Sequence, residues 1–440
     1  MNVLCMGQPF GADDSNVRLF RSTRGHEIRT LAAETGADYT FDPRDTAAEV
    51  VRRVAQAWPP DVLFCWVPEM YPPPRAVEDC PIKTVAATSD WNIYFPQIEY
   101  NLSRYDVVLT DKLGAESLRL WRTEPRYFFP LYSQRTPVHR KLDVEKDIDI
   151  LYAGNLNYSI HVERGRLLEQ VASLSDRRRV VIGGGFPDDE YTRLMNRARI
   201  AFNYGVRHEM NLRAFEALAC NALLFLEEDN REVRDCLRDR EHVVLYRQDN
   251  LVELLEFYLD HDDQAERIRA QGAAKAPELA GENRWGDLLD WIALQPARER
   301  PFGALPEPVR AFAELMQYAS SQAPGQRVLV GEQIGDALDR YPDRPEFAAA
   351  AGSFALFNLR ALSGAARKRS VRRIVQWFEQ ASALAPSEVV FRLNLAFVCR
   401  HGGATAGEID CLERALDADG CGYGGLLLSP LEGYYANAWR

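Results

Sequence analysis

Met210–Glu228 reads M-N-L-R-A-F-E-A-L-A-C-N-A-L-L-F-L-E-E, and the order of elements in this stretch decides the fold. Leu212, Phe215 and Ala219 fall at i, i+3 and i+7, one apolar face of a short helix, while Arg213 and Glu216 share a different face. Asn211 suits the N-cap and Asn221 the left-handed C-terminal position, so the helix is bracketed at both ends. Ala222–Leu226 then reads as a buried strand, which makes the unit loop, helix, turn and strand. The free N–H groups and positive dipole end at the helix start make an anion site, with Arg207, His208 and Arg213 as further donors. Leu212, the first helical residue, would bring its N–H to a diphosphate there. Glu216, one turn in, is acceptor-only and suits both hydroxyls of a ribose. The bland alternative is a solvated Arg213/Glu216 pair on a surface helix.

The pattern from Asn211 to Leu224, N-x-R-x-F-E-A-L-A-C-N-x-L-L, resembles the sugar-nucleotide-binding segment of GT-B glycosyltransferases, closest to their spore-maturation-protein-like branch. The resemblance extends over roughly residues 100–290 and is motif-specific around 150–160 and 205–228. It implies an α/β fold of GT-B architecture: a Rossmann-like acceptor domain over residues 1–140 and a Rossmann-like nucleotide-sugar domain over 141–296. It further implies that Glu216 holds the donor ribose. Many retaining relatives carry a second Glu eight positions earlier, where this chain has His208, with Glu209 one place off.

Bulk properties fit a soluble globular protein. A chain of 440 residues suggests two to three domains, and 46% apolar with 27% charged residues is a globular composition. A net charge of −11 argues against a general nucleic-acid binder. Cys5, Cys65, Cys80, Cys220, Cys236, Cys399, Cys411 and Cys421 are scattered without a C-x-x-C pair, so neither a zinc site nor a disulfide framework is indicated. The start M-N-V-L-C-M-G reads as a strand rather than a signal peptide, and no apolar run approaches 18 residues, so the expected location is cytoplasmic.

In the first domain, strands are expected at Val3–Met6, Val62–Val67, Thr84–Ala87, Val107–Thr110 and Tyr127–Phe129, separated by helical patterns at Ala47–Ala57 and Gly114–Trp121. That alternation implies a doubly wound parallel sheet. Gly7 and Gly11 flank the first turn, but Q-P-F-G-A is not a dinucleotide fingerprint. T-S-D-W-N-I-Y-F-P follows Ala87 at a strand's C-terminal end, where such sheets place ligands, and makes Asp90 the candidate catalytic acid or base. The alternative for Asp90 is a cap on the next segment. Tyr71 with Pro68, Pro72, Pro73 and Pro74 suggests a stiff loop by the acceptor cleft.

The handover lies near Pro137–Lys146, after which D-I-D-I-L-Y-A-G-N-L-N-Y is a strand ending in Gly154 and Asn155. Gly154 lets the backbone approach a ligand. Relatives use this turn beside the donor phosphates with a basic residue soon after it, which points to Arg164, in a helix over Val162–Leu174. Gly183, Gly184 and Gly185 either cradle the base or simply turn the chain. Strands follow at Val180–Ile182, Ile200–Tyr204 and Val243–Tyr246, and the last helix, Trp285–Leu294, is expected to return to the first domain.

After Pro296 the strand signals nearly vanish, and residues 305–440 read as a helical domain. W-F-E-Q-A-S-A-L-A-P-S from Trp377 and C-L-E-R-A-L-D-A-D-G-C from Cys411 align at an offset of 34 residues, the tetratricopeptide period. A-L-D-R-Y-P from Ala337 fits at an offset of 44, with Ser363–Ser370 as an inserted basic loop. Two to three degenerate repeats are expected, against the alternative of an ordinary helical bundle.

The combined reading is a metal-independent glycosyltransferase that moves a sugar from a nucleotide-sugar donor to a sugar, peptide or protein acceptor, without a cofactor. The helical domain would recruit the acceptor or a partner protein. The competing readings are a degenerate transferase fold acting as a scaffold through its repeats, and a sugar-nucleotide epimerase.

Overall fold

The computed structural model describes residues 1–7, 22–33, 36–94, 98, 100–121, 125–126, 138–156, 161–297, 300–319, 324–359, 362–401 and 405–416. Expectations for Gly11, Tyr127–Phe129, Pro137 and Cys421 lie outside these residues.

The first sheet holds β1 (Asn2–Met6), β2 (Ser22–Thr23), β3 (His26–Ala32), β4 (Tyr39–Thr40), β5 (Val62–Trp66), β6 (Lys83–Ala87), β7 (Val107–Leu109) and β8 (Pro125–Arg126). Its order is β2-β3-β1-β5-β6-β7-β8, with β4 on β3, and every pairing but β2 with β3 is parallel. Central strands such as V-L-F-C-W are buried on both faces, which is why they read as continuous apolar runs. β3 was not expected: in H-E-I-R-T-L-A the outward Glu27 and Arg29 alternate with buried His26, Ile28 and Thr30, a half-solvated strand whose charges mask the pattern. α1 (Ala47–Ala55) starts with a capping box, Thr46 and Glu49 each satisfying the other's backbone N–H, and α2 (Lys112–Ser117) is capped by Asp111.

The second sheet contains β9 (Ile148–Ala153), β10 (Val180–Gly183), β11 (Ala198–Phe202), β12 (Leu223–Glu227) and β13 (Val244–Tyr246) in the all-parallel order β10-β9-β11-β12-β13. Its helices are α3 (Val162–Ala172), α4 (Asp188–Arg197), α5 (Leu212–Ala219), α6 (Val233–Cys236), α7 (Leu251–Asp260) and α8 (Asp262–Lys275). The chain order reverses between β9 and β11, so a crevice opens at the C-terminal ends of these two strands.

α9 (Gly281–Leu294) crosses back to the first sheet, as expected. Its Trp285, Leu288, Leu289 and Ile292 join the core beneath Val3, Phe64, Trp66 and Val85, and Lys83 Nζ donates to Ile292 O at 2.9 Å. The two α/β domains are also tied directly. Glu232 accepts from Met210 N (2.8 Å) with one oxygen and from Lys112 N (3.0 Å) with the other. This is the expected GT-B architecture of two parallel-sheet domains, with the last helix of the second returning to the first.

The C-terminal region is helical: α10 (Glu307–Ala319), α11 (Pro324–Arg340), α12 (Pro345–Asn358), α13 (Gly364–Leu384), α14 (Val389–His401) and α15 (Thr405–Leu416). Ala337, Trp377 and Cys411 fall on α11, α13 and α15, every second helix. Ser363–Ser370, expected as an inserted loop, is instead the opening of α13. Its A-A-R-K-R composition is strongly helix-forming, and the extra residues lengthen that helix to 21 residues. The linker is fastened by Arg300, whose guanidinium donates to Val77 O, Glu78 O, Cys80 O and Ile82 O and to both Asp106 oxygens. Arg104, fully buried, lies 3.2 Å from Glu78 and 3.5 Å from Glu314, with the Phe302 ring 3.8 Å from its guanidinium.

Candidate functional site

At the β9/β11 switch point the side chain of Arg213 reaches back from α5 and bridges the two strand ends. Its Nε donates to Ala153 O at 2.6 Å and its Nη1 to Asn203 Oδ1 at 2.7 Å. The guanidinium lies against Gly154, where any Cβ would collide with it. So the glycine at the end of β9 makes room for an arginine as well as for a ligand. Tyr152, buried in the strand, presents its ring to Arg213 at 4.6 Å and to Arg164 at 5.8 Å.

Asn211 occupies the N-cap of α5 in extended conformation, but its side chain makes no cap bond. It pairs instead with Asn203 (2.9 and 3.2 Å) and Tyr204 O (3.3 Å), which leaves the first turn of α5 without a side-chain cap. Asn221 does take the left-handed conformation, φ +55°.

The surface-pair reading of Arg213 and Glu216 fails on burial. Glu216 is only 6% exposed, accepts from Tyr191 OH at 2.6 Å through Oε2, and has His139 Nε2 3.6 Å from Oε1. Burial and the neighbouring carboxylate raise the Tyr191 phenol well above its ordinary range, so it stays protonated and donates.

Asp90, Gly154, Asn155, Arg207, Asn211, Leu212, Arg213 and Glu216 all line one cleft of about 610 Å³, together with His139, His161, Arg164, Phe186, Tyr191 and Glu209. His208 does not. Its backbone turns through φ +55° and its ring lines a neighbouring cavity, with Nδ1 3.3 Å from Asp229. Arg207 is buried and engaged with carboxylates from both domains: Asp111 (2.8 Å), Asp90 (3.0 Å) and Glu209 (3.5 Å). The expectation that it offers free donors to an anion therefore gives way to a role as the strut that holds Asp90 over the cleft.

Arg164 behaves differently. It is 6% exposed and its Nη2 is buried without a hydrogen-bond partner among the described residues; burial lowers its pKa from the ordinary arginine value. In the glycine run Gly185 takes φ +74°, and a Cβ on Gly183 would press into the Phe186 ring. Among the described residues no group of three or more His, Cys, Asp or Glu is placed to hold a metal ion, and no helix is long and apolar enough to cross a membrane.

Residues the sequence reading missed include Glu69, whose Oε1 accepts from Ser89 N (2.9 Å) and Asp90 N (3.1 Å) and fixes the Asp90 loop. Burial pushes its carboxyl up to about 7. Its place just past β5 was a usable signal, the same that marked Asp90. Tyr191 and His139 gave none, since they reach Glu216 only through the tertiary fold.

Among solved structures, the chain resembles HepE of Anabaena in complex with UDP-glucose (10% identity, 67% of this chain and 99% of that one, TM-score 0.44). It also resembles the T4 phage β-glucosyltransferase in complex with UDP-glucose (13%, 66% and 99%, TM-score 0.44). Staphylococcus aureus TarM is a third (10%, 52% and 55%, TM-score 0.39), and the chain spans about half of its length. No curated protein matches the chain at a significant level. Residues 164–289, which carry Arg164, Arg207, Asn211, Leu212, Arg213 and Glu216, match the family described as glycosyl transferase-like.

Proposed function

We propose that the protein is a glycosyltransferase that binds a nucleotide-sugar donor in the cleft at the β9/β11 switch point and transfers the sugar to a hydroxyl-bearing acceptor. The observation that carries this reading is Arg164: a buried guanidinium with a nitrogen unpartnered among the described residues, on a residue that lines the same cleft as Arg213 and the uncapped first turn of α5. A buried cation without a counter-charge is costly unless an anionic ligand supplies one, and a diphosphate does. Glu216, held by Tyr191, accepts the ribose hydroxyls, and Phe186 lies beside the base.

As the sugar–phosphate bond breaks, negative charge grows on the leaving diphosphate. Arg164, Arg213 and the α5 N–H groups are already oriented toward it, so they stabilise the transition state without reorganising. Asp90, anchored by Arg207 and Glu69, takes the acceptor's proton. A tetratricopeptide-like C-terminal domain would present the acceptor or a partner protein.

A thermal-shift panel of UDP, GDP, dTDP and ADP tests the reading. One nucleotide should give a clear rise, since ligand at about 100 times its Kd adds about 2.7 kcal/mol to apparent stability. A flat panel rejects a nucleotide-sugar donor and favours the scaffold.

A further inference from the structure

His161 immediately precedes α3 and lines the cleft one turn before Arg164. Its Nδ1 is buried without a partner among the described residues, like Arg164 Nη2 beside it. Two unpartnered buried nitrogens on residues that line one cleft, at the start of an 11-residue helix whose N-cap side chain makes no cap bond, call for an acceptor that the described residues do not supply.

The charges that line this cleft come from five places. Arg164 lies on α3, Asp188 on α4, Arg207 and Glu209 on the loop before α5, Arg213 and Glu216 on α5, and Asp90 on the loop of the first domain, with the His139 imidazole beside Glu216. The carboxylates of Asp90 and Glu209 are engaged by Arg207, so Glu209 offsets the positive field of Arg164 only in part. Burial and the two arginines push the imidazole down to about 4, so in the empty cleft His161 is neutral. An entering diphosphate reverses that field, and an opposite charge within about 4–6 Å favours an imidazolium by about 1–3 pKa units.

We propose that His161 takes up a proton from solvent when the donor's diphosphate enters the cleft, and as imidazolium hydrogen-bonds the phosphate oxygen that leaves the sugar. This rests on the nucleotide-sugar reading above. In the transfer step the bond between the anomeric carbon and the phosphate oxygen breaks, and its electron pair stays on that oxygen. The acceptor oxygen bonds to the anomeric carbon and gives its proton to Asp90. The imidazolium keeps its proton while it donates to the phosphate, and releases it to solvent when the nucleoside diphosphate departs.

The test is calorimetric titration of the nucleoside diphosphate that wins the thermal-shift panel, from about pH 4.5 to about pH 8 in buffers of different ionisation enthalpy, with wild type and His161→Gln. The ligand's own phosphate titrates in this range, and the comparison of the two proteins removes it. Wild type should take up more protons than the variant, and its affinity relative to the variant should rise as pH falls below the ligand-raised imidazole pKa, by up to about tenfold per pH unit. Equal proton uptake and parallel pH profiles overturn the proposal while leaving the donor reading intact; failure of every nucleoside diphosphate to bind sinks both. A histidine NMR titration of the wild type serves if His161→Gln does not fold. One imidazole among the seven in the chain should move its midpoint upward on adding the nucleotide, and seven unmoved midpoints overturn the idea.

Discussion

Glu216 is where the ribose reading stands or falls. Replacing it by alanine should remove hydrogen bonds to a charged acceptor worth about 1.5–3 kcal/mol, roughly a ten- to hundredfold loss of nucleoside diphosphate affinity by calorimetry. Unchanged affinity would return Glu216 to a purely structural role with Tyr191. Glu69 makes a second prediction at the same scale. Burial raises its folded pKa from 4.5 to about 7, so the folded state holds this proton more tightly than the unfolded chain does. Its contribution to stability is therefore fully present below pH 4.5 and is lost as pH rises through about 7. Glu69→Gln keeps an oxygen for Ser89 N and Asp90 N and removes the titration. Relative to wild type, the variant should gain on the order of 1–3 kcal/mol between pH 4.5 and pH 8 in denaturant melts. Parallel stability profiles would contradict the buried-carboxyl assignment.

At the scale of elements, the ends of β9 and β11 and the start of α5 form one unit joined by Arg213. Gly154→Ala should break it, because the new methyl occupies the place of the guanidinium. Overpacking of this kind costs about 1–3 kcal/mol, and the displaced Arg213 no longer faces the diphosphate. We expect both a lower Tm and weaker nucleotide binding from Gly154→Ala, whereas Gly185→Ala, strained only by its positive φ, should lower Tm with little effect on affinity. Equal losses of affinity in the two variants would mean that the glycine run itself contacts the ligand.

For the whole molecule, the helical region is a brace on the first domain as well as any recruiting surface. Arg300 ties the linker to four carbonyls and Asp106, Tyr318 OH donates to Pro73 O at 3.2 Å, and Asn101 Nδ2 donates to Ala313 O at 2.8 Å. Ending the chain at Ala297 strips Arg104 of Glu314 and Phe302 and leaves a buried charge with reduced compensation. The truncated protein should melt lower and aggregate more readily, while the fraction that folds binds nucleotide with full affinity, since the cleft lies outside the removed segment. A truncated protein as stable and soluble as the full chain would show that the helices dock only loosely.

What the sequence determined by itself is local and periodic. The strands and helices around Met210–Glu228 were legible because apolar spacing and Asn-bracketed ends are properties of a few consecutive residues. Clustering at strand ends likewise exposed Asp90 and Gly154, since a parallel sheet sends all such ends to one rim. β3 was hidden because its charges reflect a solvated face, and the opening of α13 because a basic run reads alike as loop or helix. Only the tertiary structure decided which polar groups are free. Arg207 and His208 are neighbours in sequence, yet one is locked to Asp90 and Asp111 across the domain gap and the other turns into a different cavity. One nitrogen each of Arg164 and His161 is left without a hydrogen-bond partner among the described residues, and Glu216 is buried against Tyr191. Burial, pairing and pKa depend on atoms brought together from distant parts of the chain, and no spacing along the sequence encodes them.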